Sequence, residues 1–124
     1  MIAKRPDGRH AHRVEVLGDL HLEILDEKTR FNGDAMNLSA NGINFLSLLR
    51  LPLFREVDVH LKLPLQDQRT RVAIHCHGVV VRCDKMVEPF FEISLYFVDL
   101  ADHDKNKVRQ YMDRVAGHRP LGPR

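Results

Sequence analysis

Apolar and polar residues alternate along most of the chain. In "RVEVLGDLHLEIL", residues 13–25, Leu20, Leu22 and Ile24 fall on one face and His21 and Glu23 on the other. That period of two belongs to a half-buried strand. "DEKT" reads as a turn. "RFNGDAMNLS" predicts a weaker strand, and "NGINFLSL" continues after a sharp bend at Asn41-Gly42. "EVDVHLKL" puts Val57, Val59 and Leu61 on one side. "TRVAIHCHGVVVRC" predicts one long strand, or a bent pair with Gly78 at the bend. "PFFEISLYFVDL" places Phe91, Ile93, Leu95 and Phe97 in register.

The period changes near the end. Over "HDKNKVRQYMDRVAG", Val108, Tyr111, Met112 and Val115 form the apolar stripe of a helix. Asp102 suits its N-cap and Gly117 its stop. The stripe predicts packing on the strands rather than a groove for a partner. The fold class is therefore mainly β: about six strands and one terminal helix, arranged as a small antiparallel barrel that leaves no open edges. Residues 1–12 are polar, contain Pro6 and Gly8, and show no period. They read as a flexible N-terminal arm. Residues 13–117 form the barrel with its helix, and 118–124 a loose tail.

Charge changes the picture locally. Over 124 residues the net charge is only +2, from 19 basic and 17 acidic side chains. That balance argues against a face that coats a nucleic-acid backbone. The first 13 residues, however, hold Lys4, Arg5, Arg9 and Arg13 against Asp7 alone. "MIAKRPDG" lacks the apolar stretch of a signal peptide, and "INFLSLLRLPLF" is broken by Arg50 and Pro52, so neither secretion nor membrane insertion is expected. Cys76 and Cys83 are read as free thiols of a cytoplasmic protein.

Two constellations carry candidate chemistry. Arg9 and Arg13 are four apart, a spacing that shares one face in a helix or a strand. Guanidinium groups hold phosphate bidentately, stack on planar rings and read the O6/N7 edge of guanine. Alone, the spacing equally describes a solvated basic tail. The second is "NLSANG", with Asn37, Ser39 and Gly42. Asn37 and Ser39 are short hydrogen-bonding residues two apart, and Gly42 removes a side chain where the backbone bends or a ligand approaches. With three serines and seven glycines in the chain, this pattern is expected by chance in roughly one such chain in fifty, so it is the sharper signal.

In this order the two motifs resemble those of the PilZ family: RxxxR as Arg9-His-Ala-His-Arg13, then [D/N]xSxxG as Asn37-Leu-Ser39-Ala-Asn-Gly42. "GVVVRCD" looks like that family's mid-domain strand, with Arg82 near its end, and "FFEISLYFVDLADHDKNKVRQYM" like its closing strand, turn and helix. The resemblance runs from residue 9 to about 115. It implies a six-stranded antiparallel PilZ-type barrel that binds the bacterial second messenger cyclic di-GMP as a stand-alone receptor. Arg9 and Arg13 would hold phosphates and guanine edges. Asn37, Ser39 and Gly42 would line the floor, with Arg5 and Arg82 as candidate outer contacts. Binding would order the arm and change the surface shown to an effector protein, the chain itself being a monomer or weak dimer.

Other readings are weaker. His75 and His77 share a strand face with Cys76 opposite, but a second cluster needed for zinc is missing, so no metal and no cofactor is expected. No Gly-rich phosphate loop, GxSxG elbow or HExxH is present, so the expected role is not enzymatic and no catalytic residue is assigned. The runner-up is a PilZ-like interaction module that no longer binds nucleotide. An oligonucleotide-binding barrel lacks the basic-aromatic strand face it needs.

Overall fold

The computed structural model describes residues 14–16, 20–64 and 69–118. The strands are β1 (Val14–Glu15), β2 (His21–Asp26), β3 (Thr29–Leu38), β4 (Gly42–Ser47), β5 (Glu56–Pro64), β6 (Arg71–Lys85) and β7 (Phe91–Phe97), followed by helix α1 (Asp102–His118). Six of them close a mainly β, antiparallel barrel. The order runs β3-β2-β5-β6-β7-β4, and β4 pairs back onto β3. Closure leaves each of these strands paired on both sides, which removes the exposed edges that invite aggregation. β1 adds two residues to β3 beyond the stretch that β2 occupies: Val14 stands opposite Leu38 and Glu15 opposite Asn37.

The alternation seen in the sequence is the inside–outside alternation of the barrel. Leu22 and Ile24, Val57, Val59, Leu61 and Leu63, Ile74, Cys76 and Val80, and Ile93, Leu95 and Phe97 all point into one core with Leu38, Ile43 and Phe45. The helix stripe is buried as expected: Val108, Tyr111, Met112 and Val115 join the same cluster, and α1 packs against β1 and β5.

Three local expectations are corrected, and one open alternative is decided. Residues 13–25 do not form one strand, because β1 and β2 are separate elements pairing with different parts of β3. Of the two readings open for residues 70–83, the single long strand holds: β6 runs on through Gly78, which stays paired with Val57 and Phe97. Its irregularity falls instead between Val80 and Arg82. Asp102 is the first residue inside α1: the Ala101 carbonyl already accepts the Lys105 N–H. Its carboxylate still sits where the helix dipole favours negative charge. The helix also runs through Gly117 to His118. The predicted arm, residues 1–12, and residues 119–124 of the predicted tail lie outside the described residues.

Candidate functional site

The NxSxxG stretch forms the end of β3 and the turn into β4. Ser39 is the first residue after β3 and is 2% exposed. Its hydroxyl oxygen accepts the backbone N–H of Asn41 at 3.1 Å and of Gly42 at 3.2 Å, and its own N–H donates to the Gly42 carbonyl at 2.9 Å. The serine thus ties off the turn, in the manner of Ser/Thr turns that satisfy otherwise orphaned amides. Gly42 has a steric reason. A Cβ there would collide with the backbone carbonyl oxygen of Leu95 on β7. The strands meet closely at this corner, where Gly42 stands opposite Tyr96 and the Phe97 N–H donates to the Asn41 carbonyl at 2.8 Å.

Asn37 occupies the outer face. Its neighbour Leu38 is fully buried, and Asn37 stands opposite Glu15 on β1 and Asn44 on β4. It does so because of a bulge in β3 between Ala35 and Asn37. Ala35 faces Phe45 in the core; in a regular ladder Met36 would stand opposite Asn44 and Asn37 opposite core-facing Ile43. The bulge shifts the count by one and turns Asn37 outward.

The same device operates on β6. Val80 pairs with core-facing Leu95, and a regular strand would next put Arg82 opposite the fully buried Ile93. With the irregularity between Val80 and Arg82, Arg82 instead stands opposite Ser94, on the outer face, and Cys83 opposite Ile93. Arg82 Nε donates to Asp84 Oδ2 at 2.6 Å. Nothing in the apolar pattern signalled either bulge: in "VVVRC" and "DAMNL" the supernumerary residue is itself apolar.

Arg5, Arg9 and Arg13 lie outside the described residues. The chain enters β1 directly from Arg13, and Val14 is paired with Leu38, the residue between Asn37 and Ser39. β1, which follows Arg13 in the sequence, therefore pairs with the end of β3 that carries the second motif. The alternative cluster on β5 and β6 is a set of ion pairs. His77 Nε2 lies 3.0 Å from Asp58 and Nδ1 2.7 Å from Asp99, whose other oxygen accepts the His77 backbone N–H at 2.7 Å. The hydrogen bond to Asp99 raises the His77 pKa, and the bonds from His77 lower that of Asp99. Burial pushes the Cys76 thiol up to about 12, so it is an inert core group. Among the described residues no group of histidine, cysteine and acidic side chains could hold a metal ion, and no helix is long and apolar enough to cross a membrane.

With this geometry established, comparisons identify relatives. The inhibitor of motility MotI/DgrA of Bacillus subtilis superposes with a TM-score of 0.78 at 21% identity, over 95% of this chain and 56% of that one. The PilZ domain of Escherichia coli YcgR, solved with c-di-GMP, gives 0.68 at 9% identity, over 90% and 93%. MrkH of K. pneumonia, in a c-di-GMP complex, gives 0.67 at 13% identity, over 93% and 54%. The chain spans about half the length of MotI/DgrA and of intact YcgR. At these identities the structural likeness establishes the fold. Among curated proteins none matches the sequence. The model of the PilZ domain matches residues 7–114. The chain belongs to the PilZ domain family.

Proposed function

We propose that this protein is a cyclic di-GMP receptor of the bacterial cytoplasm. It senses the messenger through Arg9 and Arg13 on its arm and through Asn37, Ser39 and Gly42 at the β3–β4 corner, with Arg5 and Arg82 as outer contacts. Family membership together with retention of both motifs carries this reading, and it is supported by the pairing of β1, which follows Arg13 in the sequence, with the end of β3 that carries the second motif. The roles divide by chemistry. Guanidinium forks supply charge-assisted hydrogen bonds to phosphate and guanine. Asn37 offers a neutral donor and acceptor. Ser39 and Gly42 act by fixing the corner: the hydroxyl is engaged in the turn, and the glycine permits β4 and β7 to meet. No chemical step is involved. Binding orders the arm over the barrel, and the altered surface is what an effector protein reads.

The test is affinity for cyclic di-GMP in the parent and in Arg9→Ala and Arg13→Ala, with GMP as a control. Loss of binding in the variants, at an unchanged melting temperature of the free protein, supports the reading. Equal affinity for GMP would contradict it, because two-guanine geometry would then be irrelevant. A folded parent that binds no cyclic di-GMP would leave the interaction module as the better account.

A further inference from the structure

The two ends of the barrel differ in what they expose. β4 runs from the Ser39–Gly42 corner to Ser47, so the β4–β5 loop leaves from the opposite end. Phe91, the first residue of β7, stands opposite both Ser47 and Lys85, which brings the β6–β7 hairpin to that same end. The Phe54 N–H donates to the Val80 carbonyl at 2.6 Å and the Val80 N–H to the Arg55 carbonyl at 2.9 Å, so the loop is tied to β6 beside its irregularity. Leu48, Leu53 and Phe54 on the loop, Val81 on β6, and Met86 and Val87 on the hairpin are all exposed there. Of the exposed large apolar residues among the described ones, all but Tyr96 and Val98 gather at this end. At roughly 200 Å² for a fully exposed large apolar residue, they present on the order of 700 Å², against about 800 Å² that each partner gives to a stable interface.

Phe54 is the sharpest feature of this patch. It is 77% exposed, so the core does not need its ring. It is also the third residue of a turn in which the Arg55 N–H donates to the Pro52 carbonyl at 3.3 Å, and its φ is 68°. That left-handed conformation suits glycine or asparagine at such a turn position and strains a bulky side chain. Strained residues of this kind cluster at binding sites. Beside it, Arg50, Leu51, Pro52, Leu53 and Cys83 line an open cleft of about 330 Å³. A cavity of about 150 Å³ holds a benzene ring, so the cleft is large enough for a phenylalanine side chain. Phe54 itself is not among the residues that line it. An outward-held ring and an unfilled cleft therefore stand side by side on one face.

We infer that this end of the barrel is a homodimer face, with Phe54 of each copy seated in the cleft of the other. A knob and a hole on the same face satisfy each other in both directions about a two-fold axis, and the contact then closes. The chemistry of the cleft suits the ring. Leu51, Pro52, Leu53 and Cys83 give apolar walls, and the Arg50 guanidinium supplies a cation to stack on the ring face. The neighbouring charges are paired within the chain: Arg55 with Asp26 at 2.8 Å, Arg82 with Asp84 at 2.6 Å and Lys85 with Glu88 at 3.0 Å. Two copies thus meet without a single-sign field to drive them apart, whereas a strongly charged partner would find no matching field. The face lies at the far end of β4 from the NxSxxG corner, so dimerisation does not require the receptor function proposed above.

The experiment is sedimentation velocity of the full chain over a concentration series reaching millimolar, for the parent, Phe54→Gly and Phe54→Asn, with a thermal melt of each. The parent is expected to pass from monomer to dimer and to stop there, since a two-fold contact closes. Phe54→Gly is expected to weaken the dimer about thirtyfold or more, as for a central aromatic anchor. It should still melt cooperatively, because glycine adopts the left-handed φ without strain. If Phe54→Gly does not fold, Phe54→Asn, which also tolerates that φ, carries the same expectation. A folded variant that dimerises with parental affinity overturns the inference. A parent that stays monomeric at millimolar concentration overturns it too and leaves the face to a different protein. Growth of the parent past the dimer into open assemblies overturns the two-fold contact.

Discussion

At Ser39 the hydroxyl accepts two backbone N–H groups within its own turn. Ser39→Ala leaves those amides without that acceptor and is expected to destabilise the protein by about 1–2 kcal/mol, read from urea unfolding. Gly42→Ala should cost more, about 3 kcal/mol, because the obstacle is a backbone carbonyl that cannot rotate away. His77 adds a pH dependence. The hydrogen bond to Asp99, with the charges of Asp99, Asp58 and Glu56, raises its pKa, so its contribution is complete below the unfolded value of 6.5 and fades as pH rises through the raised folded value. The lowered Asp99 pKa contributes stability that is present above 3.8 and fades as pH falls through the folded value. The pair is therefore strongest between pH 3.8 and 6.5. The melting gap between the parent and His77→Gln should be widest there and shrink toward pH 9. A gap that is flat with pH would contradict this reading. At this scale the sequence showed which residue types matter, since Asn37, Ser39 and Gly42 stand out by pattern. It did not show that the serine and glycine act through the backbone, because that depends on how closely β7 passes.

Among the elements, the legible ones are those whose burial has a single period. β5, β7 and the helix stripe have their apolar residues where alternation or the 3.6-residue repeat puts them. The misread elements are those where register changes without a change of polarity. Val14, Val16, Leu20, Leu22 and Ile24 keep one parity across the gap between β1 and β2, so two strands look like one. Val79, Val80 and Val81 hide which valine is extra in β6. The bulges determine whether Asn37 and Arg82 face outward at all, so the placement of these two candidate residues was least legible in the sequence. The helix yields a prediction of its own. Val108→Ala should cost about 2 kcal/mol in denaturant unfolding, as for a fully buried aliphatic side chain. A stripe reserved for a partner would tolerate the change within about 0.5 kcal/mol.

For the whole molecule, the closed barrel acts as a rigid frame that carries one polar corner. Inward residues pack the six-stranded core, while Asn37 and Arg82 lie on the outer face. The near-neutral charge fits the proposed receptor, whose recognition would be confined to one site rather than spread over a basic face. The most direct measurement is a calorimetric titration of the full chain with cyclic di-GMP at physiological salt. The account predicts saturable heat at one or two ligands per chain, with none from GMP at the same concentration. A cooperatively melting, folded protein that gives no heat with cyclic di-GMP would contradict it.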